Sequence, residues 1–185
     1  MEEILLKGRL VCLRQKRLDD AQKDYSWRVD EELAALDASS PLRMSFQEYL
    51  RFYKEEVDYP SPFSWRFAIE TLEGQYIGNC MIYDIDTTAG EAELGILIGD
   101  KDYWEKGCGT EAVRMLSEFA FRTLDIQRLY LHTLDWNLRA QRCFSKCGFV
   151  ANGTVRRLHN KLIVMELTRE DWAHRLKAQG SGVGH

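Results

Sequence analysis

The stretch Tyr103-Trp104-Glu105-Lys106-Gly107-Cys108-Gly109-Thr110-Glu111-Ala112-Val113 determines how the rest of this sequence is interpreted. Two glycines separated by one residue connect a strand-like run, Ala92 to Ile98, to a strongly helical one. Apolar residues then recur every three or four positions, as on one face of a helix: Val113, Leu116, Ala120 and Leu124. The sequence therefore predicts a strand, a glycine turn and a helix that runs from Gly107 to about Thr123.

The glycine turn is a candidate phosphate site. A turn that opens a helix leaves several backbone N–H groups unpaired and pointing the same way, at the positive end of the helix dipole. Glycine lets a pyrophosphate approach the backbone, because a Cβ atom would hold it away. The alternative is a connection between strand and helix that binds nothing, because short glycine motifs often occur by chance.

Length and composition indicate one globular domain with a substantial core. The chain has 185 residues, of which 45% are apolar and only three are prolines. A net charge of −4 without a basic tract argues against a nucleic-acid partner. We find no signal-peptide pattern and no apolar run of membrane-spanning length, and five cysteines without framework spacing predict reduced thiols. We therefore expect a cytoplasmic protein with no membrane partner.

The order of the predicted elements gives the fold class. Strands are predicted at Arg9–Arg14, Trp65–Glu70, Tyr76–Asp86, Glu91–Ile98, Gln127–Leu134, Phe149–Arg157 and Leu162–Thr168, the last two joined by a turn at Asn160-Lys161. Besides the helix at Gly107, helices are predicted from Asp19 or Asp20 through Leu36, from Ser45 onward with Glu48 in a capping box, and from Asn137 to Cys147, with Gly148 as C′ residue.

This order predicts an α/β fold with a mixed, mostly antiparallel sheet of about seven strands and helices on both faces. The three middle strands are joined by short turns and must be antiparallel neighbours, whereas the helix after the glycine turn makes a crossover to a parallel strand. Ligands in such sheets lie where strands part at their carboxyl ends, and the glycine turn is at that place. Residues 1–176 are predicted to form the single domain, and residues 177–185 a mobile tail.

Three pieces of sequence, in matching order and spacing, resemble the GNAT N-acetyltransferase superfamily. They are Glu93–Gly99, Tyr103–Ala112, and Asn137–Ala140 leading to Lys146–Phe149. The resemblance covers roughly residues 8 to 172 and is greatest to the branch of ribosomal-protein N-terminal and spermidine acetyltransferases. It implies acetyl-CoA as the donor without a metal, and a primary amine as the acceptor (a protein N-terminus or a small polyamine) that attacks the thioester directly.

The resemblance also implies which residues hold acetyl-CoA. Backbone amides of the loop would bind the pyrophosphate: those of Glu105, Lys106, Gly107, Cys108, Gly109 and Thr110. The strand residues that would pair with the pantetheine arm are Ile96, Leu97 and Ile98, with Asn137 contacting it from the other strand. A backbone N–H near Ile98 would stabilise the oxyanion that forms during transfer.

Two positions depart from the family pattern. The loop usually begins with Arg or Gln three residues before its first glycine, where this chain has Trp104; since the phosphate contacts come from the backbone, we expect little effect. The usual acid is a tyrosine seven residues after the asparagine, where this chain has Phe144, which cannot donate a proton. A thiol with a pKa of about 8.5 leaves with little proton help, so we expect Phe144 to pack against the pantetheine.

Glu93 is the candidate catalytic base. An alkylammonium group with a pKa of about 10 must lose a proton before it can attack the thioester. Strand alternation places Glu93 and Gly95 toward the cleft and Ala92 and Leu94 toward the core. A carboxylate there can take the proton directly or through a water molecule, and it attracts a cationic amine. The alternative is an acid that faces solvent on a half-exposed strand.

Other polar residues are interpreted as structural. Cys143 and Cys147 lie one helical turn apart without a second ligand pair, so we expect core packing rather than a metal. Cys108 lies at a helix N-terminus, which lowers a thiol pKa, but a small residue that fits is the simpler interpretation. His132 and His159 alternate within predicted strands and are interpreted as structural. Three further acids are assigned to the surface, with acceptor recognition as the alternative: Asp84, Asp86 and Glu91.

Two other functions stay open. Residues 107–112 also satisfy the dinucleotide pattern G-x-G-x-x-A, and Asp135 follows the next strand, as in a nucleotide-dependent oxidoreductase. Against this, eight residues, Gly99 to Lys106, separate the strand from the turn, and there is no repeated parallel unit. A non-catalytic acyl-CoA sensor would keep the fold and the ligand without turnover, as Phe144 allows. The acceptor and the oligomeric state, a homodimer included, are left open.

Overall fold

The computed structural model describes residues 5–180 and contains eight strands and six α-helices in that range. The strands are β1 (Leu5–Lys7), β2 (Val11–Gln15), β3 (Trp65–Thr71), β4 (Tyr76–Asp86), β5 (Glu91–Ile98), β6 (Arg128–Leu134), β7 (Val150–Arg157) and β8 (Asn160–Thr168). The helices are α1 (Ala21–Arg28), α2 (Glu31–Leu36), α3 (Phe46–Asp58), α4 (Cys108–Thr123), α5 (Leu138–Cys147) and α6 (Arg169–Gly180).

All eight strands belong to one sheet, in the order β1-β2-β3-β4-β5-β6-β8-β7. Neighbouring strands are antiparallel except β5 and β6, which are parallel. The predicted mixed α/β sheet is therefore confirmed. It has eight strands instead of about seven, because β1 adds a short hairpin to β2 that the sequence pattern did not reveal.

Two local predictions differ from the structure, and a third agrees with it. The helix predicted through Leu36 is two helices, because the chain becomes extended at Asp30, whose side chain caps α2 by accepting from the Leu33 N–H at 2.8 Å. The last hairpin turns at Leu158 and His159 rather than at Asn160-Lys161, so His159 is not within a strand. Gly148, predicted as the left-handed C′ residue of α5, has φ = 103° as expected.

Helix α6 was not predicted. The Thr168 hydroxyl accepts from the Asp171 N–H at 3.1 Å at its start. The Arg169 guanidinium donates to carbonyls at the end of α4 and just beyond it, among them Phe121 at 2.7 Å, and the Trp172 ring lies 5.3 Å from that of Phe121. Residues 177–180 of the predicted tail are therefore helical, and residues 181–185 lie outside the described part of the chain.

Different helices pack against the two faces of the sheet. Phe67 and Ile69 of β3 belong to the larger core, which includes the apolar stripe of α4 and the buried end of α5. Ala68 points the other way and packs with Trp27 of α1 and Leu33 of α2. Full burial of each large apolar side chain contributes about 1.5–3 kcal/mol, so this packing holds α4 and α1 firmly on opposite faces.

Parallel pairing between β5 and β6 stops before either strand ends. The pairs run from Glu91 opposite Arg128 to Glu93 opposite Tyr130. Beyond that point β5 continues to Ile98 along β4, and β6 continues to Leu134 along β8. The two strands therefore diverge at their carboxyl ends and leave a fork in the sheet, where ligands bind in open α/β sheets.

The first turn of α4 is tied to the loop between β1 and β2. The Glu111 carboxylate accepts from the backbone N–H groups of Arg9, Leu10 and Val11 at 2.7–2.8 Å. Burial alone would raise the pKa of Glu111, but these three donors hold that pKa below its usual value. Because this pKa is lower in the folded state than in the unfolded state, the ionised carboxylate stabilises the fold at pH values above the unfolded-state pKa. That stabilisation is lost as the pH falls through the folded-state pKa.

We therefore expect Glu111→Gln to lower the free energy of unfolding by about 1–2 kcal/mol at pH 7, because a carboxamide cannot accept three N–H donors as a carboxylate does. The difference from the wild type should shrink as the pH falls below about 4.3. Urea unfolding at several pH values measures both effects. Glu118→Gln, which removes an exposed i,i+4 pair with Arg122, is the matched control and should cost only a few tenths of a kcal/mol. A Glu111→Gln loss no larger than the control would contradict the anchor.

Candidate active site

A cleft of about 610 Å³ occupies the fork between β5 and β6. The glycine loop before α4 lines it together with β4, β5, β6 and α5. Most of the sequence-predicted site residues line this one cleft: Glu93, Ile96, Leu97, Ile98, Glu105, Gly107, Gly109, Thr110, Asn137 and Phe144. Lys106 and Cys108 do not line it with their side chains, and their predicted role concerns only their backbone amides.

The loop before α4 presents a row of unpaired donors. Gly107 precedes the helix with φ = 87°, and Glu105 has φ = 59°, a left-handed conformation that is uncommon for a residue with a side chain. None of the N–H groups of residues 105–110 donates to a carbonyl of the described chain. Successive free N–H groups at a helix N-terminus form a concave site for an anion, so the loop fits a pyrophosphate.

The open edge of β5 has polar backbone groups available to a ligand. The Gly99 N–H donates to the Ile77 carbonyl at 3.0 Å, and Gly78 lies opposite Ile98. Because antiparallel partners alternate between bonded and non-bonded pairs, Ile96 and Ile98 direct their N–H and C=O groups toward the fork. The groups of Leu97 point to β4 instead, and its side chain packs in the core beneath α1 and α2.

Trp104 has a structural role at the position where the family usually has Arg or Gln. Its indole N–H donates to the Ile98 carbonyl at 2.7 Å and so fixes the loop to the open strand. The Arg139 guanidinium of α5 stacks 3.5 Å above its ring. Arg142 and Lys146 of the same helix also line the cleft, so α5 contributes three cations to its wall.

Asn137 and Phe144 lie on the opposite wall. The Asn137 Oδ1 caps α5 by accepting from the Ala140 N–H at 3.2 Å, which leaves its Nδ2 donors without a partner among the described residues. Phe144 is buried, with its ring 6.2 Å from that of Phe149, and one side of it faces the cleft. Because phenylalanine has no hydroxyl group, the side chain at this position cannot act as an acid.

Glu93 lies at the base of the fork, where it is 4% exposed. The His132 Nδ1 of β6 is 2.6 Å from its Oε1, and Tyr83 of β4 lies opposite Glu93 in the strand register. Burial and the neighbouring carboxylate raise the pKa of Tyr83, so its hydroxyl stays protonated and can act as a donor toward Glu93. A carboxylate has about four acceptor positions, which leaves room for a third partner from the cleft.

Sequence reasoning missed two members of this group. His132 was interpreted as structural, yet it is the closest partner of Glu93. Tyr83 was not singled out, although it lies directly opposite Glu93 in the predicted hairpin. The hairpin register was therefore the available signal for Tyr83. The contact with His132 depends on how β6 diverges after Tyr130, which the sequence does not specify.

The cysteines differ from one expectation and agree with another. Burial raises the pKa of Cys108, so the lowered value expected at a helix N-terminus is wrong. Cys143 is half-buried and packs against the core, as expected for it and Cys147, and it also lines the cleft. A hydrogen bond from Cys147 lowers the pKa of Cys143 to about 7, and its contact with the Thr110 hydroxyl at 3.4 Å acts in the same direction.

The acids assigned to the surface do not line the cleft. Glu91 pairs with Arg128 at 2.5 Å, and the Asp86 carboxylate accepts from the N–H groups of the turn that follows β4. Within residues 5–180 we find no group of three or more His, Cys, Asp or Glu side chains placed to hold a metal ion. Over the same range, no helix has the combination of length and apolar character that crossing a bilayer requires.

Comparison with known proteins agrees with this geometry. Residues 10–150 match the family model of the acetyltransferase (GNAT) domain. The probable N-acetyltransferase YjcK of Bacillus subtilis is 26% identical over 161 residues, which cover 83% of this chain and 87% of that protein. Aminoglycoside N(6')-acetyltransferase type 1 of Klebsiella pneumoniae is 30% identical over 112 residues, but the match spans only 56% of its length and 55% of this chain.

The fold has a close counterpart among solved structures. The spermidine N-acetyltransferase of Vibrio cholerae, determined in complex with CoA and spermine, superposes with a TM-score of 0.78 at 20% identity. The superposition covers 88% of this chain and 98% of that one. At this identity the likeness establishes the fold, whereas the match to the family model extends over most of the chain. This protein is a member of the GNAT acetyltransferase family.

Proposed function

We propose that this protein transfers the acetyl group of acetyl-CoA to a primary amine by direct attack of the amine on the thioester. The observation that carries the proposal is the fork between β5 and β6. It places the free edge of Ile96 and Ile98 between a loop of unpaired N–H donors and the buried Glu93 carboxylate. An elongated ligand with a diphosphate at one end and a reactive group at the other fits this arrangement.

The chain binds the two ends of the donor with different groups. The amides of residues 105–110 hold the diphosphate, and the cations of α5 lie beside it. The edge groups of Ile96, with the N–H of Ile98, hold the pantetheine as an added strand would. Acetyl-CoA supplies an activated acyl group whose thiolate leaves readily, which makes the missing hydroxyl at Phe144 tolerable.

Glu93 removes the proton that blocks the amine. Tyr83 and His132 fix the carboxylate from two sides, and its remaining acceptor positions face the cleft. An ammonium group that enters the fork can donate to it and become nucleophilic. His132 acts through Glu93 and is therefore a positioning residue.

The acceptor belongs to a class of primary amines. Relatives of this chain are named for aminoglycosides and spermidine, so these amines, together with a peptide N-terminus, are the first to test. The five unpaired cysteines support a reducing compartment such as the cytoplasm.

Two alternatives make different predictions. A non-catalytic acyl-CoA sensor would bind the donor without turnover, but the three-residue contact around Glu93 favours proton transfer. An oxidoreductase would need repeated parallel units, whereas β5 and β6 form the one parallel pair of the described sheet. Release of free thiol from acetyl-CoA, measured with a panel of amines, distinguishes an enzyme from a sensor. A melting temperature raised by acetyl-CoA but not by NAD excludes the oxidoreductase.

Replacing His132 tests its positioning role. We expect His132→Ala to lower kcat about 10- to 100-fold, because the buried carboxylate loses a donor that holds it in place. His132→Asn can donate from about the position of Nδ1 and should recover most of that loss, while the KM for acetyl-CoA stays unchanged in both variants. Steady-state kinetics at saturating amine measure the effect. Equal activity of His132→Ala and the wild type would contradict the role.

A further inference from the structure

Cations are unusually frequent at the acceptor end of the cleft. Four basic side chains line it away from the phosphate loop: Lys16, Arg28, Arg66 and Arg157. Apart from Glu93, only one carboxylate of the same region lines this cleft, that of Asp37. Basic side chains therefore outnumber acidic ones at this end of the cleft, although the chain has a net charge of −4.

Three of these cations already face carboxylates of the protein. The Lys16 ammonium lies 3.8 Å from Asp24, and the Arg66 guanidinium lies 3.0 Å from Glu56. Arg28 stands among three acids, which are Asp24 of α1, Asp37 just after α2 and Glu56 of α3. These groups are largely neutralised by the protein itself, so they do not require an anionic ligand.

Arg157 differs from the other three. It ends β7 at the hairpin tip, where it is exposed, and forms no ion pair with a carboxylate among the described residues. Its contact is with His132, whose Nε2 is 3.5 Å from the Arg157 Nη2. Because His132 Nδ1 contacts Glu93 at 2.6 Å, one imidazole ring separates the free guanidinium from the candidate base.

The separation between Glu93 and Arg157 limits which acceptors can contact both side chains. An amine that donates to Glu93 brings the next few atoms of its own molecule within reach of Arg157. A guanidinium with free donors binds a carboxylate in a bidentate, charge-assisted manner. A second ammonium group of the acceptor would instead lie next to the positive charge of Arg157, which no carboxylate of the described residues neutralises.

Resting on the acetyltransferase function proposed above, we propose that Arg157 binds a carboxylate close to the reacting amine, so that the acceptors are amino-carboxylates. The chemistry fits a free amino acid and equally a peptide whose first residue is acidic. Polyamines and aminoglycosides, which have further cations near the reacting amine, fit it less well.

Two matched pairs of acceptors test the proposal. Comparing glycine with glycinamide tests whether the carboxylate of a free amino acid is recognised. Comparing amidated Asp-Ala with amidated Asn-Ala tests whether an acidic side chain at a peptide N-terminus is recognised. For each pair we compare the ratio of kcat/KM values, acid over amide, between the wild type and Arg157→Gln. Differences in intrinsic amine reactivity cancel in this comparison, as does a general effect of the variant on rate.

We expect Arg157→Gln to lower the acid-over-amide ratio of kcat/KM values about 10- to 100-fold for the pair that resembles the natural acceptor, because a charge-assisted bidentate contact is lost. Arg157→Lys should recover part of the ratio. Arg156→Gln removes a neighbouring exposed charge, opposite Lys161 in the register, and should leave the ratio unchanged.

The outcomes separate this inference from the function beneath it. If the protein acetylates amines but the acid-over-amide ratio is the same in the wild type and in Arg157→Gln, the role of Arg157 is wrong and the proposed function stands. A preference of the wild type for spermidine over both glycine and amidated Asp-Ala has the same consequence. Thiol release with none of the amines, in protein that still binds acetyl-CoA, would overturn the proposed function itself.

Discussion

Glu93→Gln should lower kcat/KM for the amine about 100- to 1,000-fold at pH 7, because general-base catalysis contributes roughly this much. The amide keeps the shape of the side chain and can still contact Tyr83 and His132, so the fold and the donor site are retained. It cannot accept a proton from the substrate ammonium. As the pH rises toward the amine pKa of about 10, a growing fraction of the amine is already neutral, and the gap between variant and wild type should narrow.

A pH profile of kcat/KM measures this directly. Glu91→Gln is the matched control, since Glu91 lies two residues earlier on the same strand but pairs with Arg128 outside the cleft. We expect the control to stay within about threefold of the wild type, as for surface substitutions away from a site. Unchanged activity of Glu93→Gln near pH 7, or a deficit that is independent of pH, would refute the assignment of Glu93 as base.

Gly109→Val should weaken binding of CoA at least about 100-fold, because a side chain there displaces the diphosphate from two or more N–H donors, each contact to a charged group contributing about 1.5–3 kcal/mol. Gly109 is a cleaner position for this test than Gly107. A Cβ at Gly109 would lie 3.5 Å from Ile98 and 3.8 Å from Cys143, which are ordinary contacts. At Gly107 the positive φ of 87° would also strain the backbone.

Calorimetric titration with CoA measures the loss, and the melting temperature of the ligand-free protein shows whether the fold is intact. Gly109→Ala provides the graded comparison: it should weaken binding less than valine and leave the ligand-free stability equal or slightly higher, because alanine favours the helix. Wild-type affinity in Gly109→Val would show that the phosphate lies elsewhere.

Much of the fold was predictable because its pattern is local. The spacing of Val113, Leu116 and Ala120 specifies one face of α4, and all three are fully buried. Short turns on either side of β4 specify an antiparallel meander, and the crossover helix specifies the parallel return to β6. These features depend on neighbouring residues in the sequence, so single-sequence reasoning recovers them.

The missed features depend on contacts between distant segments. Strand β1 has three residues and no pattern of its own, and it is fixed by pairing with β2. Helix α6 is stabilised by contacts of Arg169 and Trp172 with the end of α4. The partners of Glu93 come from two other strands, so its burial and its contact with His132 could not be inferred from strand alternation alone.

We infer that the backbone of one loop and one strand edge hold the donor while Glu93 faces the amine. A crystal structure of the protein with CoA is the decisive measurement. We expect the diphosphate against the N–H groups of residues 105–110, with the pantetheine along Ile96 and Ile98 and its sulfur pointing toward Glu93. A diphosphate bound anywhere else, or a pantetheine that leaves the edge of β5 free, would overturn this arrangement.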